Sequence, residues 1–191
     1  SRRRHTRCSR DWSSDVCSSD LNALRGWKES VIKKLTGGLS GLAKARKVQV
    51  VQGKGAFTSS HTLSVDTPEG AKTIAFKNAI IAAGSSVAKI PGFPYDDPRL
   101  VDSTGALELR QIPKRMLVIG GGIIGLEMAC VYDALGAKVS VVEFADGLIP
   151  AADRDIVKPL HKRIEKRYEA IMLKTKVTKL EARANGLLAS F

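Results

Sequence analysis

The hydrophobic positions of the first third of the chain predict one helix. Apolar residues recur at helical spacing from Leu21 to Leu35, and the glycine pair 37–38 is expected to interrupt this pattern. Residues 1–20 show neither helical nor strand periodicity, and they are rich in Ser, Arg and Asp. They resemble a translated adapter sequence, so we expect a non-native leader that contributes nothing to the fold.

Three short runs then predict a small antiparallel β-meander. Residues 48–53 are rich in valine, residues 61–66 alternate between apolar and polar, and residues 72–76 return after a turn at 68–70. Residues 79–84, "AIIAAG", are continuously apolar, which is typical of a strand buried on both faces.

The second half of the chain predicts a strand–helix–strand unit. Three prolines between residues 91 and 98 indicate a linker before it. Residues 116–119 and 139–142 are short apolar runs, and residues 123–135 between them have helical spacing, with Gly136 ending the helix.

The last forty residues predict further α/β structure. Residues 153–169 have helical spacing, interrupted or kinked at Pro159. Two strands then follow, with a turn at residues 185–186. The chain ends within this pattern, which we interpret as a truncation of a larger sheet.

Composition narrows the possible functions. The net charge of +12 suggests nucleic-acid binding as a function. The basic residues, however, are spread over several helices without interleaved aromatic residues, so solvated basic helix faces are the better interpretation. No apolar run is long enough to cross a membrane, and no signal peptide follows the basic N-terminus. Three unpatterned cysteines indicate a reducing compartment, and we expect a cytoplasmic protein without a metal site.

Three glycines between the predicted strand and helix match the G-x-G-x-x-G pattern. Gly120 allows a tight turn, Gly122 lets the backbone approach a pyrophosphate, and Gly125 lets the helix pack on the strand. Amide groups at the helix start would hold the phosphate charge. The alternative is a glycine turn in an ordinary α/β unit.

An acid ends the next strand at the spacing of the dinucleotide fingerprint. Glu143 would accept hydrogen bonds from ribose hydroxyls and repel a 2′-phosphate. Phe144 and Ala145 follow it, and neither is basic. The sequence therefore predicts NAD rather than NADP as the ligand.

The sequences of several segments resemble those of the dihydrolipoyl dehydrogenase family of flavoprotein disulfide reductases, in its bacterial form. The segments are "FKNAIIAAGS", "DSTGALEL", "LVIGGGIIGLEMACVYDALGAKVSVVEF" and "IPAADRDIV". The resemblance covers about residues 21–191 and implies an α/β fold with two dinucleotide-binding domains. It assigns residues 21–110 to the end of the FAD-binding domain and residues 111–191 to a truncated NAD-binding Rossmann domain.

The resemblance also implies a role for individual residues. FAD would contact Gly55 and a segment formed by Ala83, Gly84 and Ser85. Glu127 matches a family glutamate near the nicotinamide, although its spacing alone indicates an ordinary helix-surface residue. The implied NAD-binding residues are Gly120, Gly121, Gly122, Ile123, Ile124, Gly125, Leu126, Glu127 and Glu143.

The implied activity is oxidation of dihydrolipoyl groups through a disulfide and FAD to NAD⁺. The implied partners are the dihydrolipoyl domain of 2-oxo acid dehydrogenase complexes and a second copy of the full-length parent. The family's C-x-x-x-x-C pair and His-Glu pair are absent from these 191 residues, so we expect no catalytic residues here and no turnover. Another flavin-dependent disulfide reductase and a non-catalytic NAD-binding fragment are the alternatives.

Overall fold

The computed structural model describes residues 14–191 and divides the chain into two compact units. One unit is residues 26–86; the other is residues 87–191 together with the described residues up to Arg25. None of the described helices is both long and apolar enough to cross a membrane.

Helix α1 spans Ser14–Ala45. It begins inside the segment 1–20, where the sequence shows no helical periodicity, and residues 1–13 lie outside the described part. The assignment of residues 1–20 to a non-native leader stays a prediction. The predicted interruption at the glycine pair 37–38 is wrong. A helical glycine costs only about 1 kcal/mol relative to alanine, which is too little to end a helix that continues on both sides.

The unit 26–86 contains an antiparallel meander, as predicted, but its first strand lies at 54–59 rather than at 48–53. Strands β1 (Lys54–Ser59), β2 (Thr62–Thr67) and β3 (Gly70–Ala75) pair antiparallel in that order. The prediction of a strand at 48–53 is wrong, because this segment is irregular and its valines 48 and 50 are exposed. No described strand pairs with this segment, and a valine-rich run needs such a partner to form a ladder.

The predicted buried strand at 79–84 is also wrong. The segment is irregular, and the side chains of Ile80 and Ile81 are 94% and 75% exposed. Its apolar character matches a central strand, but no described strand lies beside it to supply hydrogen bonds. Hydrophobicity alone does not hold an extended backbone in a sheet.

The unit 87–191 is built on the predicted strand–helix–strand unit. Strands β4, β5 and β6 form a parallel sheet in the order β4-β5-β6, the order of the first half of a Rossmann fold. Parallel pairing requires helical crossovers, and two helices supply them. The elements, preceded by the short helix α2 (Ser103–Leu107), are β4 (Arg115–Ile119), α3 (Ile123–Ala134), β5 (Lys138–Val142), α4 (Arg154–Ile164) and β6 (Ala170–Met172).

The core of this unit lies where the helices cover the sheet. Val139 and Val141 on β5 are fully buried, as is Ala129 on α3. Tyr132 of the same helix donates a hydrogen bond of 2.8 Å to the carbonyl of Ala106 on α2. The three valines of the central strand, Val139, Val141 and Val142, are thus buried, whereas its Lys138 is exposed.

The end of the chain differs from the prediction in its boundaries and in having three strands rather than two after the helix. Helix α4 passes through Pro159 and ends at Ile164, five residues before the predicted end at residue 169. Strands β7 (Lys179–Arg183) and β8 (Gly186–Ser190) form a hairpin around the predicted turn.

Candidate dinucleotide-binding site

The glycine-rich turn joins β4 to α3, as the fingerprint predicts. Gly120 has a φ of 106°, a left-handed conformation that side chains rarely adopt. Its N–H donates a hydrogen bond of 2.8 Å to the carbonyl of Val142 at the end of β5. The turn is thereby attached to both neighbouring strands of the sheet.

The other two fingerprint glycines differ in how much room a Cβ would have. A Cβ at Gly125 would lie 2.5 Å from the carbonyl oxygen of Gly120, so the helix packs here at a distance that only glycine permits. A Cβ at Gly122 would meet nothing within 4 Å. Gly122 is also the N-cap of α3 and provides no side-chain cap. Open space thus faces uncapped amides, as a bound phosphate requires.

Glu143 closes the turn from the end of β5. Its Oε2 accepts a hydrogen bond of 2.6 Å from the N–H of Gly121, and its Oε1 accepts one of 2.6 Å from the N–H of Ala145. Each carboxylate oxygen has two lone pairs, so both oxygens retain capacity for further donors. The predicted acid and the predicted turn are therefore in direct contact.

Gly121 is closely packed by side chains of the following strand and loop. A Cβ there would lie 2.5 Å from Cδ2 of Leu148, which is fully buried. The carbonyl of Gly121 accepts a hydrogen bond of 2.9 Å from the N–H of Ile149. Sequence reasoning missed both residues, although an apolar pair between Gly147 and Pro150 is a signal of a buried loop.

The remaining residues of the predicted NAD set lie on the first turns of α3. Ile123 and Ile124 are exposed, and Leu126 is buried in the core. Glu127 is exposed on the surface of the helix. This arrangement leaves the helix N-terminus accessible on one side and anchored on the other.

The residues predicted to contact FAD belong to the unit 26–86. Gly55 lies in β1 opposite Val65. Ala83, Gly84 and Ser85 lie in the irregular exposed segment, where Gly84 has a φ of 72° and open space around its Cα. No described hydrogen bond joins Gly55 to this segment, so the structure does not assemble them into one site.

Side chains outside the turn form no second reactive cluster among the described residues. The Sγ of Cys130 lies 3.2 Å from the hydroxyl of Tyr168, and burial, then this contact, raises the pKa of Tyr168 above its ordinary value. Arg167 pairs with Asp133 at 2.5 Å beside them. Within the described part of the chain, no group of His, Cys, Asp and Glu could hold a metal ion.

Comparison with known proteins identifies similar sequences and folds. The family model described as "Pyridine nucleotide-disulphide oxidoreductase" matches residues 4–190. Dihydrolipoyl dehydrogenases of Vibrio cholerae and Haemophilus influenzae are 54% and 53% identical over 90% of the chain. The chain spans about a third of these relatives, 36% of each.

Solved structures support the same grouping. The flavoprotein disulfide reductase RclA from Escherichia coli, solved as a Cu(II) complex, is similar with a TM-score of 0.78 and 27% identity. This match covers 93% of the chain and 42% of RclA. LpdA from Mycobacterium tuberculosis shares the fold, with a TM-score of 0.76, 19% identity and coverage of 89% of this chain and 39% of LpdA. Because the family model matches almost the whole chain, the chain belongs to the pyridine nucleotide-disulphide oxidoreductase family.

Proposed function

We propose that the unit 87–191 binds NAD at the glycine-rich turn. The observation that carries this proposal is the 2.6 Å hydrogen bond between Gly121 and Glu143, beside the open space at Gly122. A backbone turn, uncapped helix amides and a carboxylate acceptor are thus held together. These are the groups that a dinucleotide requires.

The proposed ligand contacts follow from the chemistry of these groups. The amides at the start of α3 would hold the pyrophosphate, and Gly122 would give it room. Glu143 would accept the ribose hydroxyls, and its charge would disfavour a 2′-phosphate. When bound, NAD supplies the hydride acceptor of the reaction.

We further propose that the whole protein is a dihydrolipoyl dehydrogenase that uses FAD and NAD⁺. The 54% identity to the Vibrio cholerae enzyme supports this substrate class. In this proposal, residues 21–110 end the FAD-binding domain and contact FAD through Gly55 and residues 83–85, and residues 111–191 belong to the NAD-binding domain. The dihydrolipoyl domain of a 2-oxo acid dehydrogenase complex and a second copy of the full-length protein are the proposed partners.

A different flavoprotein disulfide reductase is the second candidate. The likeness to RclA supports it, since RclA is 27% identical with a TM-score of 0.78. The identity to dihydrolipoyl dehydrogenases is twice as high, at 52–54%. The first candidate is therefore preferred.

The nucleotide preference tests the proposed site. We expect the chain to bind NADH more tightly than NADPH in a fluorescence titration. Glu143→Ala should reduce the ratio of the two affinities about tenfold or more, because a charged hydrogen bond contributes about 1.5–3 kcal/mol. The ratio is the relevant readout, since the substitution also removes the contacts to Gly121 and Ala145.

Asp146→Ala is the matched control for this experiment. Asp146 is an exposed acid three residues from Glu143, and we expect its removal to leave the ratio unchanged. Equal affinity of the native chain for NADH and NADPH would contradict the assignment of Glu143.

Turnover tests the distribution of the catalytic groups. The chain has three cysteines, none of them separated by four residues, so it has no C-x-x-x-x-C pair to accept electrons from a dithiol. We expect residues 1–191 with added FAD to show no reduction of NAD⁺ by dihydrolipoamide. Turnover above background would mean that other residues of this chain perform the chemistry.

A further inference from the structure

The loop at residues 147–152, here called the supporting loop, contains a strained residue directly below the glycine-rich turn. Ile149 has a φ of 44°, in the left-handed region. A β-branched residue rarely adopts this conformation, because its Cβ and branches crowd the backbone. Such strain persists only where surrounding contacts hold it, and it concentrates at functional sites.

Arg154, at the start of α4, provides these contacts. Its guanidinium donates hydrogen bonds to the carbonyl of Leu148 at 3.0 Å, to that of Ala152 at 2.7 Å, and to that of Ile149. Gly147 leaves room for it, since a Cβ there would lie 2.7 Å from Nη1. A single cation thus bonds three carbonyls that surround the strained position.

The supporting loop in turn contacts the glycine-rich turn. The N–H of Ile149 donates to the carbonyl of Gly121 at 2.9 Å, and the N–H of Gly121 donates to Glu143 at 2.6 Å. Leu148 fills the space beside Gly121. A continuous set of hydrogen bonds therefore runs from Arg154 through Ile149 and Gly121 to Glu143.

We propose that Arg154 is a positioning residue for nucleotide binding, which acts by holding Ile149 in its strained conformation. Without the guanidinium, the peptide of Ile149 is released to relax toward negative φ. Its N–H then leaves the carbonyl of Gly121, and the turn loses its support opposite Glu143. This inference rests on the proposed NAD site at the same turn.

Arg154 acts through the loop rather than as a cation for the ligand phosphate. Nε, Nη1 and Nη2 each donate to a backbone carbonyl of the supporting loop. An arginine that served only as a positive charge for the ligand would not need these hydrogen bonds to the loop. Its loss should therefore be compensated by relieving the strain, without restoring any charge.

The test measures NADH affinity of the native chain, Arg154→Ala, Arg154→Lys, and Arg154→Ala combined with Ile149→Gly. We expect Arg154→Ala to weaken binding about tenfold, which corresponds to a supported turn that is populated about one-tenth of the time. Arg154→Lys should retain most of the affinity, because an ammonium also donates to several carbonyls. The double variant should regain affinity, because glycine adopts positive φ without a guanidinium to hold it.

Thermal melting of the same variants separates positioning from stability. Ile149 packs against the core, so Ile149→Gly should lower the melting temperature further while it restores NADH affinity. Loss of affinity that simply follows the melting temperature through all variants would overturn the proposal. Arg163→Ala, at an exposed arginine of the same helix, should leave both quantities unchanged.

Amide hydrogen exchange of the ligand-free protein tests the same series of hydrogen bonds independently of NAD. Arg154→Ala should accelerate exchange at Gly121, Ala145 and Ile149, whereas Arg163→Ala should not. If the native chain binds no NADH, the proposed function fails, and exchange alone decides the role of Arg154. Unchanged exchange at these three amides would overturn the inference, whatever the result with NADH.

Discussion

Residues 26–86 and residues 87–191 both contain apolar runs, but they bury these runs very differently. In the second region Val139, Val141 and Ala129 are fully buried between a parallel sheet and its helices. In the first region, Val65 is the one buried apolar residue among the described positions, whereas large apolar residues such as Trp27 are exposed. The two regions differ in the number of packed layers that cover their apolar residues.

The comparison shows what an apolar pattern requires before it becomes a core. A helix or sheet buries its apolar face only against another element. The strand–helix–strand unit supplies these elements within about thirty consecutive residues, so its own sequence is sufficient. The segment 79–84 has equal apolar character, but no described strand pairs with it.

The largest expected contrast is between a buried and an exposed leucine. Leu148→Ala should lower the free energy of unfolding by about 2–5 kcal/mol, because it leaves a cavity beside Gly121. Leu35→Ala, at a side chain 64% exposed on α1, should change it by less than about 0.5 kcal/mol. Urea denaturation of both variants measures the difference, and equal losses would mean that α1 is covered in solution.

A smaller contrast is expected between two helical glycines. Gly125→Ala places a Cβ 2.5 Å from the carbonyl oxygen of Gly120, so it should destabilise the chain by about 1–3 kcal/mol and weaken NADH binding. Gly38→Ala on α1 meets nothing within 4 Å and should stabilise the chain by about 0.5–1 kcal/mol. Denaturation midpoints measure both effects. Destabilisation by Gly38→Ala would show that this position does not have the helical conformation described.

The smallest contrast is between two ion pairs, one with a largely covered carboxylate at Asp97 and one that is largely exposed. Arg99 donates side-chain and backbone hydrogen bonds to Asp97, which lowers the pKa of Asp97 from 3.8 to about 2. Because the folded pKa is depressed, this stabilisation is present above about pH 4 and is lost as the pH falls toward 2. Arg99→Ala should return the pKa of Asp97 toward its ordinary value in an NMR titration.

The corresponding pair in residues 26–86 joins Lys72 to Glu69 at 3.0 Å, with both side chains largely exposed. Lys72→Ala should therefore change stability by less than about 0.5 kcal/mol. An NMR titration in which Asp97 keeps its low pKa after Arg99→Ala would assign the shift to another group.

The parts predicted from sequence are those determined by neighbours along the chain. Strand β4, helix α3 and strand β5 lie within two residues of their predicted bounds, because periodicity and glycine placement are local signals. The contact of Glu143 with the turn follows from the same spacing. The hairpin around residues 185–186 is likewise a local feature.

The parts not predicted depend on backbone positions that side-chain patterns do not encode. The strands expected at 48–53 and 79–84 require partners that periodicity cannot supply. The role of Arg154 is likewise not predictable from the sequence pattern, because its acceptors are main-chain carbonyls and the strain at Ile149 is a backbone property. An isolated arginine after Asp153 looks like an ordinary first-turn residue of a helix.

The bonds from Arg154 to backbone carbonyls have a consequence for how this loop can evolve. The acceptors of the guanidinium are the carbonyls of Leu148, Ile149 and Ala152, so replacing the side chain of Pro150 or Ala151 removes none of them. Substitutions at these two positions should be tolerated as long as position 154 keeps Arg154 or another side chain with several hydrogen-bond donors. The loop can therefore diversify on its outer surface while it preserves the shape of the turn above it.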